Sequence, residues 1–570
     1  MKEKESLTPL STKYEESLDR ENPFGEYPRP QFKRESFISL NGIWDFEIKE
    51  GEEIPASFSQ SILVPFPVES RLSGLGRGHK PTDFLFYRKS FSLPRGFVKD
   101  RVLLNFDAVD QLATVYLNGK EVFDGYIGYV PRSVDITDAL CEENLLVVRV
   151  KDELSKKYPY GKQREDRGGM WYTPVSGIFG TVWLESVADG AFEDIEITPT
   201  MTDVKIRIRG GAGKKRLTLC DEVFEFSENE ITVSPKEIRL WSPETPHLYY
   251  FTLECETDKI ESYFALREIS VGEVRGIPRL LLNGEPYFFN ALLDQGYYPD
   301  GIFLPATADG YKDDILLAKS LGFNTLRKHI KIEPMIFYHL CDKLGMIVFQ
   351  DMVNNSDYSF IRDTALPTVG IKRLCDKRMH KNPESRAVFE NEMYKTMRLL
   401  YNTPSVLYYT IFNEGWGQFS ADEMYEKAKS YDKTRIIDST SGWFIQSKSD
   451  VDSHHIYFKR IKLKAPSKRP IVISEFGGYS HRVEGHLFGK ANYGYRSFED
   501  KEKYEQALVS LYLDELLPYI SRGVCAAVFT QLSDVEDETN GLVTYDRRVL
   551  KVSEKRIREV MDKINSEIRN

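Results

Sequence analysis

The chain has 570 residues, too many for one hydrophobic core, so several domains are expected. Hydrophobic residues make up 41% and aromatics 13%, enough to fill those cores, while a net charge of −10 argues against a nucleic-acid partner, since phosphate binding needs a basic surface. No run of about eighteen or more apolar residues occurs, so no membrane span is expected, and the opening MKEKESLTPLSTKYEE lacks the apolar stretch of a secretory leader. Cys141, Cys220, Cys255, Cys341, Cys375 and Cys525 are scattered without C-x-x-C spacing, which suits reduced, buried thiols in a cytoplasmic protein better than disulfides or a zinc site.

The first third reads as β. LNGIWDFEI (40–48), FYRKSFSL (86–93), RVLLNFD (101–107), ATVYLNGKEVF (113–123), NLLVVRVKD (144–152) and GTVWLESV (180–187) are short strand-like runs punctuated by Gly, Pro and Asn. Asn118-Gly119 signals a hairpin, because both residues tolerate the positive φ of a type I′ turn. A jelly-roll β-sandwich is expected over 1–188. From 189 to 273, segments such as KIRIRG, LYYFTLECET and SYFALREISV alternate apolar and polar positions, and the length suits a seven-stranded immunoglobulin-like sandwich.

From 274 to 570 helical stretches alternate with apolar strands. DDILLAKSLG (313–322) precedes FNTLRK, and EPMIFYHLCDKLG (333–345) precedes MIVFQDM. SRAVFENEMYKTMRLLYN (385–402) precedes VLYYTIFNE, SADEMYEKAKSYD (420–432) precedes RIIDST, and YEQALVSLYLDELLPYI (504–520) precedes GVCAAVFTQLSD. This rhythm predicts a (β/α)₈ barrel whose strand ends carry Asp294, Arg327, Asp351, Glu414, Asp438, Tyr457, Glu475 and Gln531.

Two of these residues carry chemistry together. Glu414 follows VLYYTIFN and Glu475 follows IVIS, both runs reading as strands buried on two faces. Gly415, Gly477 and Gly478 flank them and leave them exposed. Carboxylates at the C-terminal ends of two barrel strands can converge on one bond, which is what glycoside hydrolysis needs: one proton donor and one nucleophile or base. Around them, Trp416 and Trp443 are candidate stacking walls or core aromatics. Asp294 is a candidate for binding a sugar hydroxyl or for capping its turn. His454, with His329 and His455, is a candidate ring contact or structural histidine, since the spacing is not that of a zinc motif, and no metal or other cofactor is expected.

The ordered set YPRPQF (27–32), SLNGIWDF, LVPFPVES (63–70), FYRKSF, SGIFGTVWLE (176–185), LWSPETPHLY (240–249), GFNTLRKHI, CDKLGMIVFQD, FNEGWGQ and VISEFGG resembles glycoside hydrolase family two across nearly the whole chain. The family includes β-galactosidases, β-glucuronidases and β-mannosidases. The resemblance implies retaining, exo-acting hydrolysis of terminal β-linked sugars through a covalent glycosyl-enzyme, β-galactosidase-like first, with β-glucuronidase or another β-glycosidase specificity, or an inactive carbohydrate-binding protein, as alternatives. It implies Glu414 as acid/base, Glu475 as nucleophile, Asn413 on the sugar 2-hydroxyl, Tyr457 as a hydrogen-bond donor to the nucleophile, and Arg327 beside it. Glu414 then needs a proton near neutral pH while Glu475 needs to be ionised, with about 5 to 5.5 Å between the carboxyls. A carbohydrate or glycoside is the expected partner, with homo-oligomers left open.

The chain also departs from the family pattern. Asp294-Gln295 stands where many members carry His-Glu, and FTQLSD (529–534) lacks the usual tryptophan. The Asn-x-Lys element that grips a uronate is replaced by Asn540-Gly541-Leu542, so a uronide would need Lys328 or another cation.

Overall fold

The computed structural model describes residues 10–368, 370–371 and 375–569; the first nine residues of the opening stretch lie outside it. Two antiparallel sheets form the N-terminal sandwich. One runs Phe37–Ser39, Val182–Val187, Arg101–Phe106, Arg132–Asp135, and the other is built on Val109–Leu117, Glu143–Lys151, Asp83–Ser92, Gly42–Glu50 and Gln60–Val64. Alternation puts Trp44, Phe46, Leu85, Tyr87, Leu104 and Val148 between them. Asn118 makes the expected tight turn at φ 54°.

The second sandwich packs a three-stranded sheet (Phe192–Pro199, Val204–Gly210, Glu230–Val233) on a four-stranded one (Glu222–Phe226, Lys215–Leu219, Tyr249–Glu254, Lys259–Phe264). Ile195, Ile206, Leu217, Phe251 and Leu253 fill it. A hairpin, Ile269–Val274 with Ile277–Leu282, straddles position 273 and lies under the barrel, where Leu280 and the fully buried Trp241 pack on Ile347, Phe349 and Leu407.

The barrel has eight parallel strands: one, Phe289–Asp294; two, Thr325–Lys328; three, Ile347–Asp351; four, Val406–Asn413; five, Ile436–Ser441; six, Asp452–Ile456; seven, Ile471–Gly477; eight, Val524–Thr530. Strand pairing runs 5-4-3-2-1-8-7-6. Strands five and six meet at a seam held by Asp450, whose N–H donates to Ile437 O (3.0 Å) and whose carboxylate accepts from Ile437 N (2.8 Å). Helices Asp309–Ser320, Met335–Leu344, Pro383–Leu400, Ala421–Tyr431, Lys501–Ser510 and Glu554–Glu567 wrap it. The segments 442–451 and 457–470, where the sequence named no helix, form none. The first is shorter than the roughly dozen residues a helical crossover needs, and Pro466 interrupts the second.

The N-terminal sandwich leans on the mouth of the barrel. Tyr129, Tyr160, Trp171, Tyr172 and Phe179 from the sandwich join Tyr297, Phe303, Ile330, Val353 and Trp416 from the barrel in one apolar cluster. The cysteines are all unpaired; Cys341 and Cys525 are buried as expected, but Cys141, Cys220 and Cys375 are exposed. No helix among the described residues is long and apolar enough to cross a membrane.

Candidate active site

Every residue of strands four and seven is buried, so each strand reads as a continuous apolar run that breaks only at its upper end. Glu414 sits one residue past strand four in the left-handed region (φ 50°), a conformation that costs a non-glycine residue free energy and turns its carboxyl into the pocket. Its N–H donates to Ser441 O at 2.9 Å. Gly415 follows at φ 77°, and a Cβ there would meet the Phe444 ring at 2.4 Å, so only glycine fits.

Glu475 lies within strand seven, 5% exposed. Oxygens of Glu414 and Glu475 and a ring nitrogen of His455 all lie within 4.8 Å of one another. Arg327 organises the floor beneath them. Its Nη1 donates to Glu475 Oε1 (3.1 Å) and Ser474 O (2.8 Å), its Nη2 to Asn413 Oδ1 (2.8 Å), and Nε and Nη2 form a fork on Asp351. Tyr457 donates to Glu475 Oε2 at 2.6 Å and meets Thr530 Oγ1 at 2.9 Å, its ring stacked on Tyr495 at 3.8 Å.

Burial by itself would favour neutral Glu475. The fields of His455 and Arg327 and the Tyr457 hydrogen bond outweigh it and lower the carboxyl from 4.5 to about 2. A depressed carboxyl stabilises the folded protein fully above its ordinary range, and that contribution is lost as pH falls from 4.5 toward about 2.

Glu414 has a different setting. Its Oε1 is 2.8 Å from His455 Nδ1, and His455 Nε2 is 2.8 Å from Ser441 Oγ. Ser441 gives its single proton to Ser474 Oγ (2.9 Å), so His455 Nε2 must be the donor to Ser441. One proton then sits between Nδ1 and Glu414, as a carboxylic acid facing a neutral ring or as a carboxylate facing an imidazolium. The same three residues could in principle hold a metal. A 2.8 Å N···O separation, however, is a hydrogen bond, whereas two ligands of one tetrahedral ion at about 2.1 Å would stand about 3.4 Å apart.

Other expected residues fall in three places. Asn413 is in the pocket with its Nδ2 unpartnered. Trp443 stands half-buried at the rim, 5.5 Å from the His455 ring. Trp416 is 2% exposed and packs on Trp171 (5.2 Å) and Tyr358 (5.9 Å), with its indole N–H unpartnered. His454 does not face the carboxylates. A bulge between His454 and His455 and the strand's alternation turn it outward to Asp452 (3.2 Å), and His455 takes the central place. Asp294 is not free for sugar either. It pairs with Lys328 (2.7 Å) and accepts from Gly296 N, inside a buried network with Glu333. That pairing also removes Lys328 as a free cation. Gln295 donates to Gln531 (2.9 Å), and Asp534 pairs with Lys551 (2.6 Å).

Nothing in residue type separated His455 from His454, but its position two residues before Tyr457 on one strand face was a usable signal. Ser441, Tyr495 and Lys162 were missed because each comes from a segment with no motif. A cavity of about 930 Å³ lies elsewhere, between the sandwich and the barrel, lined by Glu69, Arg71, Asp152, Arg167 and Glu536. It holds neither carboxylate, so the paired acids define the site.

The chain matches the family descriptions "Glycosyl hydrolase 2 galactose-binding domain-like" over 82–176, "Glycosyl hydrolases family 2" over 192–267 and "Glycosyl hydrolases family 2, TIM barrel domain" over 306–566. The chain belongs to glycoside hydrolase family two. Among curated family relatives, a β-galactosidase of Thermoanaerobacter pseudethanolicus is 26% identical over 305 residues, covering 48% of this chain and 40% of that one. One from Aeromonas hydrophila is 25% identical over 481 residues, covering 75% and 44%. The chain therefore spans less than half the length of these two family-two relatives. A β-glucuronidase from an uncultured Clostridium sp. shares the fold with a TM-score of 0.74 at 19% identity, covering 94% of this chain and 99% of that one. A β-galacturonidase from Eisenbergiella tayi has a TM-score of 0.67 at 20% identity, covering 93% and 98%.

Proposed function

We propose that this family-two protein is a retaining, exo-acting β-glycosidase with Glu475 as nucleophile and Glu414 as acid/base. The observation that carries the reading is the pair itself: two carboxyls from different barrel strands, with oxygens within 4.8 Å, Glu475 held by Arg327 and Tyr457 and Glu414 by His455. That spacing suits a covalent intermediate and leaves no room for the extra water of an inverting enzyme, which needs about 6.5 to 9.5 Å.

In the first step a Glu475 oxygen bonds to the anomeric carbon as the glycosidic C–O bond breaks, and the proton held between Glu414 and His455 goes to the leaving oxygen. Glu414 is then a carboxylate facing a ring nitrogen that no longer has a proton to offer. In the second step it takes a proton from water, the water oxygen bonds to the anomeric carbon, and the Glu475 ester C–O bond breaks. Asn413 Nδ2 is placed to donate to the 2-hydroxyl, a contact that strengthens in the transition state.

A panel of nitrophenyl β-glycosides tests the reading: release from at least one sugar is expected, and binding of sugars with no release from any would favour a carbohydrate-binding protein. Two further outcomes follow from the geometry. Tyr457→Phe removes a charge-assisted hydrogen bond and should lower kcat/KM about 10- to 100-fold, read with an aryl glycoside; an unchanged value would mean Tyr457 does not tune Glu475. Inactivation by a dinitrophenyl 2-deoxy-2-fluoroglycoside needs an ionised nucleophile but no acid. Its rate should stay flat from about pH 7 to about pH 4, and a fall centred on the ordinary glutamate range would contradict the depressed Glu475.

A further inference from the structure

The N-terminal sandwich inserts one loop over the pocket. Tyr160 N and Gly161 N donate to Asn354 O at 3.0 and 3.4 Å, beyond barrel strand three, and Tyr160 OH donates to Ser356 O at 2.8 Å. Gly161 (φ 64°) passes so close to the turn after strand two that a Cβ would lie 2.9 Å from Ile330 O. The next residue, Lys162, is tied by its carbonyl to Tyr172 N at 3.0 Å.

Lys162 is 7% exposed, and its Nζ makes no hydrogen bond or ion pair with any described residue. It stands over two rings, Tyr172 at 5.4 Å and Trp416 at 5.7 Å, the second only two residues from Glu414. The aromatic faces attract the cation but supply no acceptor oxygen. Its field reaches both sides of the pocket. Burial lowers His329 to about 4, and Lys162 adds to that fall; Glu538 is raised by burial, and Lys162 opposes the rise. Glu538 forms no ion pair with Lys162; its Oε2 accepts from Tyr172 OH and Gln531 Nε2. Asn413 Nδ2, Trp416 Nε1 and Asn540 Nδ2 are unpartnered donors, beside the unpartnered acceptors Gln295 Oε1 and Asn354 Oδ1. A buried ammonium without an ion pair, close to spare N–H groups, is suited to an anion rich in acceptors.

We propose that Lys162 is the specificity-determining cation of this site and that it pairs with a carboxylate on the terminal sugar, making the substrate a β-linked uronide. This rests on the glycosidase reading for turnover, but not for binding. A lysine from the sandwich would thereby do the work that the barrel segment Asn540-Gly541-Leu542 has no lysine to do.

The test compares wild type, Lys162→Gln, Lys162→Arg and Lys162→Met on nitrophenyl β-glucuronide and β-galacturonide against the β-galactoside and β-glucoside. Wild type should favour the uronides, and Lys162→Gln should reduce the uronide-to-neutral ratio of kcat/KM by about 100-fold, with Lys162→Arg keeping more of it. Calorimetric titration with free glucuronate, galacturonate and galactose reads binding alone, and the uronate affinity should fall in Lys162→Gln. Lys162→Met checks folding: its melting temperature without sugar should equal or exceed that of wild type, since a buried ammonium without a partner costs free energy. Preference of the wild type for neutral glycosides, or an equal loss on both classes in Lys162→Gln, overturns the proposal. If no glycoside is cleaved but uronate binds through Lys162, the assignment stands and the hydrolase reading falls. If none is cleaved and no uronate binds, both fall.

Discussion

Glu475→Gly should lose at least about 10⁴-fold in kcat/KM, because no other group in the pocket can bond to the anomeric carbon. Sodium azide should restore turnover by entering the space the side chain leaves. The product should be the glycosyl azide of inverted configuration, since the small anion attacks from the nucleophile's side once and is not displaced. No rescue with any glycoside that the wild type cleaves would remove Glu475 from its role. The companion variant, Glu414→Gln, should behave differently. It should fall about 10²- to 10⁴-fold on sugars with poor leaving groups and far less on dinitrophenyl glycosides, which leave without a proton. Two glutamates with the same loss on every leaving group would not be an acid and a nucleophile.

The second large effect should come from Arg327→Leu. The guanidinium is 1% exposed and answers Glu475, Asp351, Asn413 and the Ser474 carbonyl at once. Removing it leaves two buried carboxylates without a cation, a loss on the order of 3 to 5 kcal/mol. In a three-domain protein this should appear in calorimetry as an earlier barrel transition, with the sandwich transitions little moved. Activity should fall as well, because only the field of His455 would then remain of the two that lower Glu475 most. Arg327→Lys should rescue little, since a point charge cannot reproduce a planar fork that makes five contacts. A barrel transition at the wild-type temperature would show that the network does not hold the floor together.

The fold was largely written in the periodicity. Strands such as VLYYTIFN and IVIS are short, β-branched or aromatic, and closed by turn residues, so buried parallel strands were the natural reading, and the helix–glycine–strand rhythm ordered them. The same rhythm named no helix before strands six and seven, and none forms there. At the site, Glu414 and Glu475 were legible because each interrupts an apolar strand end. The choice between His454 and His455 was legible only through Tyr457, which shares a strand face with His455, while the bulge between the two histidines leaves no mark in the sequence. Of the two roles open to Asp294, the turn cap is the one observed, and its pairing with Lys328 was out of reach because the two are close only in the folded barrel. Lys162, the cation of the proposal above, carries no local signal at all, because its place beside Tyr172 and Trp416 exists only in the folded chain.

The loop carrying Gly161 and Lys162 ties the front module to the catalytic rim through Asn354 and Ser356. On the proposed assignment, bond cleavage and sugar choice belong to separately encoded parts of one polypeptide. Exchanging that loop between relatives would then retarget the site while leaving its paired acids untouched.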